Sequence, residues 1–240
     1  MNKILPFLAP ICLFASSCDE LVQESVNEFY KSDRNLTRAI NLATQASEAC
    51  LKAGNTDQAI TSLINGASIC MVNKEPQKAL ELSQRALELA ASGSDKLLLA
   101  RSYQNIGAAK KALGKYDEAL ASFYEAQKIY DTNSNTPMRD ELLCIKSIGS
   151  TYYMKNDFAK AYENHILALN LLDITPDLSN NELVRSELLI EVANDLAKLD
   201  GKDQAAKNYK EVLEILKGKE QNPRALGLLE RASKGLKELN

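Results

Sequence analysis

Residues 100–130 read ARSYQNIGAAKKALGKYDEALASFYEAQKIY, and this stretch decides the fold. Tyr103 lies four residues before Gly107. Ala119 follows that glycine by twelve residues, and Phe123 and Ala126 lie four and seven beyond Ala119. Apolar and small residues three, four and seven apart share one face of a helix. Gly114 closes a first helix and Lys115-Tyr116-Asp117 makes a turn into a second. The segment is a helical hairpin with small residues where its two helices cross.

The template recurs along the chain. Gly149 pairs with Ala161, flanked by Ile145, Tyr152, His165 and Ala168. Ala193 pairs with Ala205, flanked by Leu189, Leu196, Tyr209 and Val212. Ala67 pairs with Ala79, flanked by Leu63, Cys70, Ser83 and Ala86, and a weaker copy pairs Asn27 with Ala39. The second-helix anchors are Ala39, Ala79, Ala119, Ala161 and Ala205, spaced by 40, 40, 42 and 44 residues. A side chain at the crossing of two close helices would hold the backbones apart, so Gly or Ala belongs there. A mid-helix Gly costs ~0.5–1 kcal/mol against Ala, so its use there implies close approach.

The pattern of an aromatic, a Gly, a turn, then Asp-Glu-Ala and an aromatic resembles the tetratricopeptide repeat. The common period of that family is about 34 residues; the longer period here resembles the extended-helix versions of kinesin light chains. The resemblance covers about residues 20 to 240. It implies an all-α fold, a right-handed α-solenoid of about five hairpins plus a C-terminal capping helix. The hairpins are expected at about 20–53, 56–92, 95–132, 138–173 and 180–217, and the cap at 222–239. Extra residues fall in Ala91-Ser92-Gly93-Ser94, Asn133 to Pro137 and Ile174 to Asn181, which carry the Gly, Pro, Ser and Asn expected between hairpins.

Composition agrees. Of 240 residues 45% are hydrophobic and 25% charged, Pro (6) and Gly (10) are scarce and Trp is absent, so a core must be built from Leu, Ile and Ala. The formal net charge of -3 and the lack of a basic face argue against a nucleic-acid partner.

The first residues stand apart. Lys3 is followed by an apolar run from Ile4 to Ala15, then Ser16, Ser17 and Cys18. This is the layout of an export signal over residues 1–17, too short to span a bilayer, which takes ~20 apolar residues. Small residues before a Cys resemble a bacterial lipoprotein signal, which implies lipidation of Cys18 and a periplasmic or membrane-anchored protein. Ala15 stands where that family usually has Leu. A plain cleaved secretory signal and a retained cytosolic N-terminus are the alternatives.

Chemistry-bearing motifs are few. Cys50, Cys70 and Cys144 remain after the leader and the lipid site, an odd number that predicts free thiols rather than a disulfide framework. Cys50 and Cys70 are expected toward opposite ends of the stack, on the order of 20 Å apart. The one His, His165, occupies the aromatic slot of the fourth hairpin and is expected to fill the core. No zinc spacing or phosphate loop is present, so no metal, cofactor or enzymatic activity is expected.

The resemblance implies a binding scaffold whose first helices line a concave groove. Carried over by spacing, the groove residues are Asn65, Arg101, Gln104, Asn105, Lys111, Lys146, Ser150, Tyr153, Glu191 and Asn194. Arg101, Asn105, Lys111 and Lys146 predict a basic middle, and Glu187 with Glu191 an acidic C-terminal end. The set that clamps chaperone tails in this family is lacking, because Ala108 stands where one of its Asn would be. The expected partner is another protein or a peptide, held by an envelope scaffold; a peptide-sensing regulatory module is the alternative, and an enzyme with an unrecognised site the remote one.

Overall fold

The computed structural model describes residues 17–175, 178 and 181–239. The expected export signal lies outside these apart from Ser17. The described regular structure is eleven helices: α1 (Cys18–Tyr30), α2 (Leu36–Lys52), α3 (Thr56–Val72), α4 (Pro76–Ala91), α5 (Lys96–Ala112), α6 (Tyr116–Thr132), α7 (Met138–Met154), α8 (Phe158–Ile174), α9 (Glu182–Lys198), α10 (Lys202–Ile215) and α11 (Pro223–Glu238). Each packs on the next, and α3 with α5, α5 with α7, α7 with α9 and α9 with α11 abut directly. The chain is therefore an α-solenoid, and these five helices share one face of it, the inner face. No described helix is long and apolar enough to cross a membrane.

The helix starts follow from local chemistry. Asn35, Asp95, Asp157, Asn181 and Asn222 each cap a first turn by accepting backbone N–H bonds. Pro76 and Pro223 open α4 and α11, where the missing N–H is no loss. The five Ala anchors are fully buried.

One turn is used five times. Gly54, Lys74, Gly114, Asn156 and Asp200 all take φ between 59° and 79°. After each, a backbone N–H reaches back five residues to the helix it leaves, from Asn55 to Cys50 O (2.8 Å), Glu75 to Cys70 O, Lys115 to Lys110 O, Asp157 to Tyr152 O and Gly201 to Leu196 O. Only four of these turns lie inside the expected hairpins. The fifth, at Gly54, joins α2 to α3, so the link between the first and second hairpins is as tight as the hairpins themselves. Ala59, fully buried four residues after Asn55, is an anchor that the 40-residue spacing did not register.

Close approach appears where Gly was expected to supply it. A Cβ on Gly107 would lie 2.7 Å from two ring carbons of Phe123, and one on Gly149 would lie 2.5 Å from the His165 ring. In both hairpins the ring sits sixteen residues after the glycine.

The N-terminal end corrects the expectation of a free thiol at Cys50. Cys18 is the first residue of α1, with Ser17 as its N-cap in a reciprocal pair with Glu20. The helix carries Cys18 to Cys50 with Cα atoms 4.7 Å apart, and the two form a disulfide. Cys50 is therefore not a free thiol. The spacing argument treated Cys18 as a leader boundary and so left it out of the pairing. Cys70 and Cys144 are free and buried, and no Cys50–Cys70 bridge forms.

Candidate functional site

The inner face is knitted by rungs between successive repeats. Asn105 Nδ2 donates to Ile64 O of α3 at 3.0 Å. Arg101 meets Asp140 of α7 at 2.7 Å. Lys111 Nζ donates to Ser150 Oγ at 2.7 Å. Lys146 Nζ meets Glu187 of α9 at 2.8 Å, and Arg224 of α11 closes on the same carboxylate at 2.9 Å. Burial alone would raise the Glu187 carboxyl, but Lys146 and Arg224 hold it below its ordinary value. Gln104 accepts from Tyr130 OH at 2.8 Å within its own hairpin.

These pairs overturn the expected charge pattern. Arg101 and Lys146 are neutralised within the chain, so the middle of the groove is not a free basic patch. Glu187 is neutralised too, so the C-terminal end is not simply acidic. Cross-repeat partners about one period apart took up the charges that spacing had assigned to a ligand.

Five of the expected residues come together. Lys111, Ser150, Tyr153, Glu191 and Asn194 line one cavity of about 400 Å³, with Ala112, Tyr116, Met154, His165 and Arg231. The other five are elsewhere. Asn65 lines a small cleft with Ser68 near α1, Lys146 lines a separate hollow with Glu187 and Arg224, and Arg101, Gln104 and Asn105 are held in the bonds above.

The floor of the main cavity is polar and buried. His165 is 1% exposed, so it fills the core as expected. It also sits between two carboxylates of α9: Nδ1 lies 2.6 Å from Asp195 Oδ2, and Nε2 lies 3.3 Å from Glu191 Oε2. Within the protein Nε2, Glu191 Oε2 and Asp195 Oδ1 have no well-formed hydrogen bond. Burial pushes the carboxyls of Glu191 and Asp195 up, opposed at Glu191 by Lys146, His165 and Arg231 and at Asp195 by His165. Burial also pulls the Lys111 ammonium below its ordinary value, with Glu191 opposing. At the rim, Tyr209 OH donates to Asn194 Oδ1 at 2.6 Å and so fixes the amide with Nδ2 left to donate.

Sequence reading missed Arg231 and Asp195. Arg231 belongs to the capping helix, outside the repeat template. Asp195 follows the anchor Ala193 by two residues and reads as an ordinary helix position; only the stack brings it to His165. The His165–Asp195 pair has no hydroxyl or thiol hydrogen-bonded at Nε2, where a nucleophile would have to sit. Among the described residues no group of His, Cys, Asp and Glu has a metal-binding arrangement.

Comparison with known proteins places this architecture. No curated protein sequence matches the chain. Among solved structures, a protein of nearly identical TPR-like repeats assigned to a kinesin light chain of Podosopora anserina is 16% identical, covers 85% of this chain and 96% of its own, and superposes with a TM-score of 0.64. PilF of Pseudomonas aeruginosa is 18% identical over 92% of this chain and 88% of its own, with a TM-score of 0.60. A Rap protein complexed with Competence and Sporulation Factor is 17% identical, with a TM-score of 0.61, covering 92% of this chain and 64% of its own. The family model described as tetratricopeptide repeat matches residues 58–132, from α3 to the end of α6. That segment thus carries the tetratricopeptide repeat, and the described chain as a whole has the fold of the repeat solenoids it resembles.

Proposed function

We propose that the chain is a non-enzymatic scaffold of the cell envelope whose inner face holds a peptide segment or a partner protein. The observation that carries this reading is the cavity between α5, α7, α9 and α11. It is lined by tyrosines and hydrogen-bonding side chains, and its floor holds buried polar atoms without a well-formed hydrogen bond. Such a mixture of apolar wall and few oriented polar groups is the composition of a binding site. The fold supports the same reading, because a Rap protein of similar architecture is complexed with Competence and Sporulation Factor. That likeness also favours a second reading, a peptide-sensing module, which would use the same cavity. The Cys18–Cys50 disulfide supports an oxidising compartment, in agreement with the export-like start of the sequence.

A photo-crosslinking residue placed at Tyr153 tests the assignment, with one at Glu163, exposed on α8, as its control. The expected result is partner capture from position 153 and none from 163. Capture from 163 alone would move the binding surface to the opposite face.

A further inference from the structure

The cations of the inner face divide into two groups. Arg101, Lys146 and Arg224 each have a carboxylate of this chain within 3 Å. Lys111 and Arg231, which line one cavity, have none within 4 Å among the described residues, as is also true of Arg139 in the hollow beside Lys146. Lys111 is the more telling. Its ammonium sits in a desolvated position with one hydroxyl, Ser150 Oγ, as its hydrogen-bond partner, and that hydroxyl donates onward to Ser147 O. Two of its three N–H groups are left over. Lys111 is half-buried, and the carboxylate that acts on it, Glu191, lies beyond ion-pair contact.

The same wall carries further donors. Asn194 presents Nδ2, because Tyr209 occupies Oδ1. Arg231 lines the cavity from the capping helix. The acids that face the cavity are Glu191 and, behind it, Asp195, and both are turned onto His165. Burial favours the neutral form of the Glu191 carboxyl, so it repels an incoming anion less than an exposed glutamate would. A cationic ligand would have to sit beside two cations whose nearest acid, Glu191, acts on both from beyond contact distance. The remaining wall, from Ala112, Tyr116, Tyr153 and Met154, is apolar or aromatic.

We propose that this cavity binds a carboxylate carried on an apolar body, with Lys111 and Arg231 as its ion pair, Asn194 Nδ2 as a hydrogen-bond donor and the tyrosines against the apolar part. The volume of about 400 Å³ accepts one residue-sized group rather than a long segment. Such a group arrives either as a free small acid or as the C-terminal residue of a polypeptide; the chemistry of recognition is the same. The proposal rests on the inner-face reading and specifies what that face holds at its most enclosed point.

Calorimetric titration of the full chain tests it. The probes are N-acetyl-phenylalanine, its amide, and a peptide library with an apolar last residue as free acid or as amide. Saturable binding of an acid form, weakened about tenfold or more by amidation, is expected. Lys111→Met keeps the aliphatic stem and should weaken binding by a similar factor, as should the surface change Arg231→Gln. Equal binding by the small acid and the peptides identifies a small-acid site; binding by peptides alone identifies a chain end. Acid and amide binding alike, no binding by any probe, or indifference to both substitutions, with helical content unchanged by circular dichroism, overturns the proposal. If Lys111→Met leaves crosslinking at position 153 intact, the inner-face reading stands while the carboxylate assignment falls.

Discussion

Gly107 and Gly227 are both inside helices, and replacing each by Ala separates packing from propensity. In an open helical position Gly→Ala is favourable by ~0.8–1 kcal/mol. Gly227 is such a position: a Cβ there meets nothing within 4 Å. At Gly107 the same atom would lie 2.7 Å from Phe123 Cδ1 and Cε1 and 2.9 Å from Cζ. Ordinary contact begins about half an ångström or more further out, and Phe123 is fully buried, so either its ring or α5 must shift within a close-packed interior. Overpacking of this kind costs ~1–3 kcal/mol. The propensity gain is common to both sites and cancels in the difference. Gly227→Ala is therefore expected to be more stable than Gly107→Ala by ~1–3 kcal/mol. Urea denaturation followed by far-ultraviolet circular dichroism measures this. Because a repeat array need not unfold in one step, midpoints are compared on the first transition. Shortening the ring in Gly107→Ala with Phe123→Leu should recover part of the loss, giving favourable coupling between the two sites. If the two single glycine variants agree within ~0.5 kcal/mol, the ring does not sit against the α5 backbone and the reasoning about close approach is refuted.

Four further outcomes follow from the turns, the sulfurs and the buried acids. Lys74 holds φ 60° at an exposed turn, so Lys74→Gly is expected to raise stability by ~0.5–1 kcal/mol in chemical denaturation, the relief of the left-handed strain exceeding the added chain entropy. Cys50→Ser should remove ~2–4 kcal/mol by opening the cross-link over 32 residues, and peptide mapping of unreduced protein should find Cys18 joined to Cys50. A lipid on Cys18 would contradict the pairing. Burial pushes the Cys70 thiol up to about 11 and the Cys144 thiol up to about 12, so both should resist iodoacetamide at pH 8 until the chain is unfolded. The Glu191 carboxyl is raised from its ordinary 4.5. The folded state thus binds that proton more tightly than the unfolded one, and this contribution is present at low pH and lost as pH rises above about 4.5. Glu191→Gln should flatten the fall in stability from pH 5 to pH 8; an unchanged slope would show that Glu191 is solvated.

The solenoid was legible because its signal is local. An Ala anchor, a turn and a ring sixteen residues after a glycine are all written within one hairpin, and Gly107 with Phe123 states the rule in full. What was illegible depends on the stack. Arg101 and Asp140, or Lys146 and Glu187, belong to different repeats and meet only when the inner-face helices abut, so a reading of single repeats counted their charges as free. His165 looked like a core ring, as it is, but Glu191 and Asp195 come to it from the next repeat. The turn at Gly54 escaped because a fixed period directs attention to the anchors that fit it, and Ala59 falls between two of them. Cys18 escaped for a different reason: the small residues before it matched a processing signal, and that reading hid its place on the first turn of α1.

The two ends of the solenoid are secured unequally. The first helix is tied covalently to the second, while α11 is held by apolar packing and surface ion pairs. In a one-dimensional array, opening begins at the end with the weaker neighbour term. Fraying should therefore run inward from α11, and α11 carries Arg231, one wall of the cavity. The site can be dismantled by detachment of a single helix while α1 to α10 stay folded, so occupancy of the cavity and order at the C-terminal end rise and fall together. Hydrogen exchange of α11 would then report whether the cavity is filled.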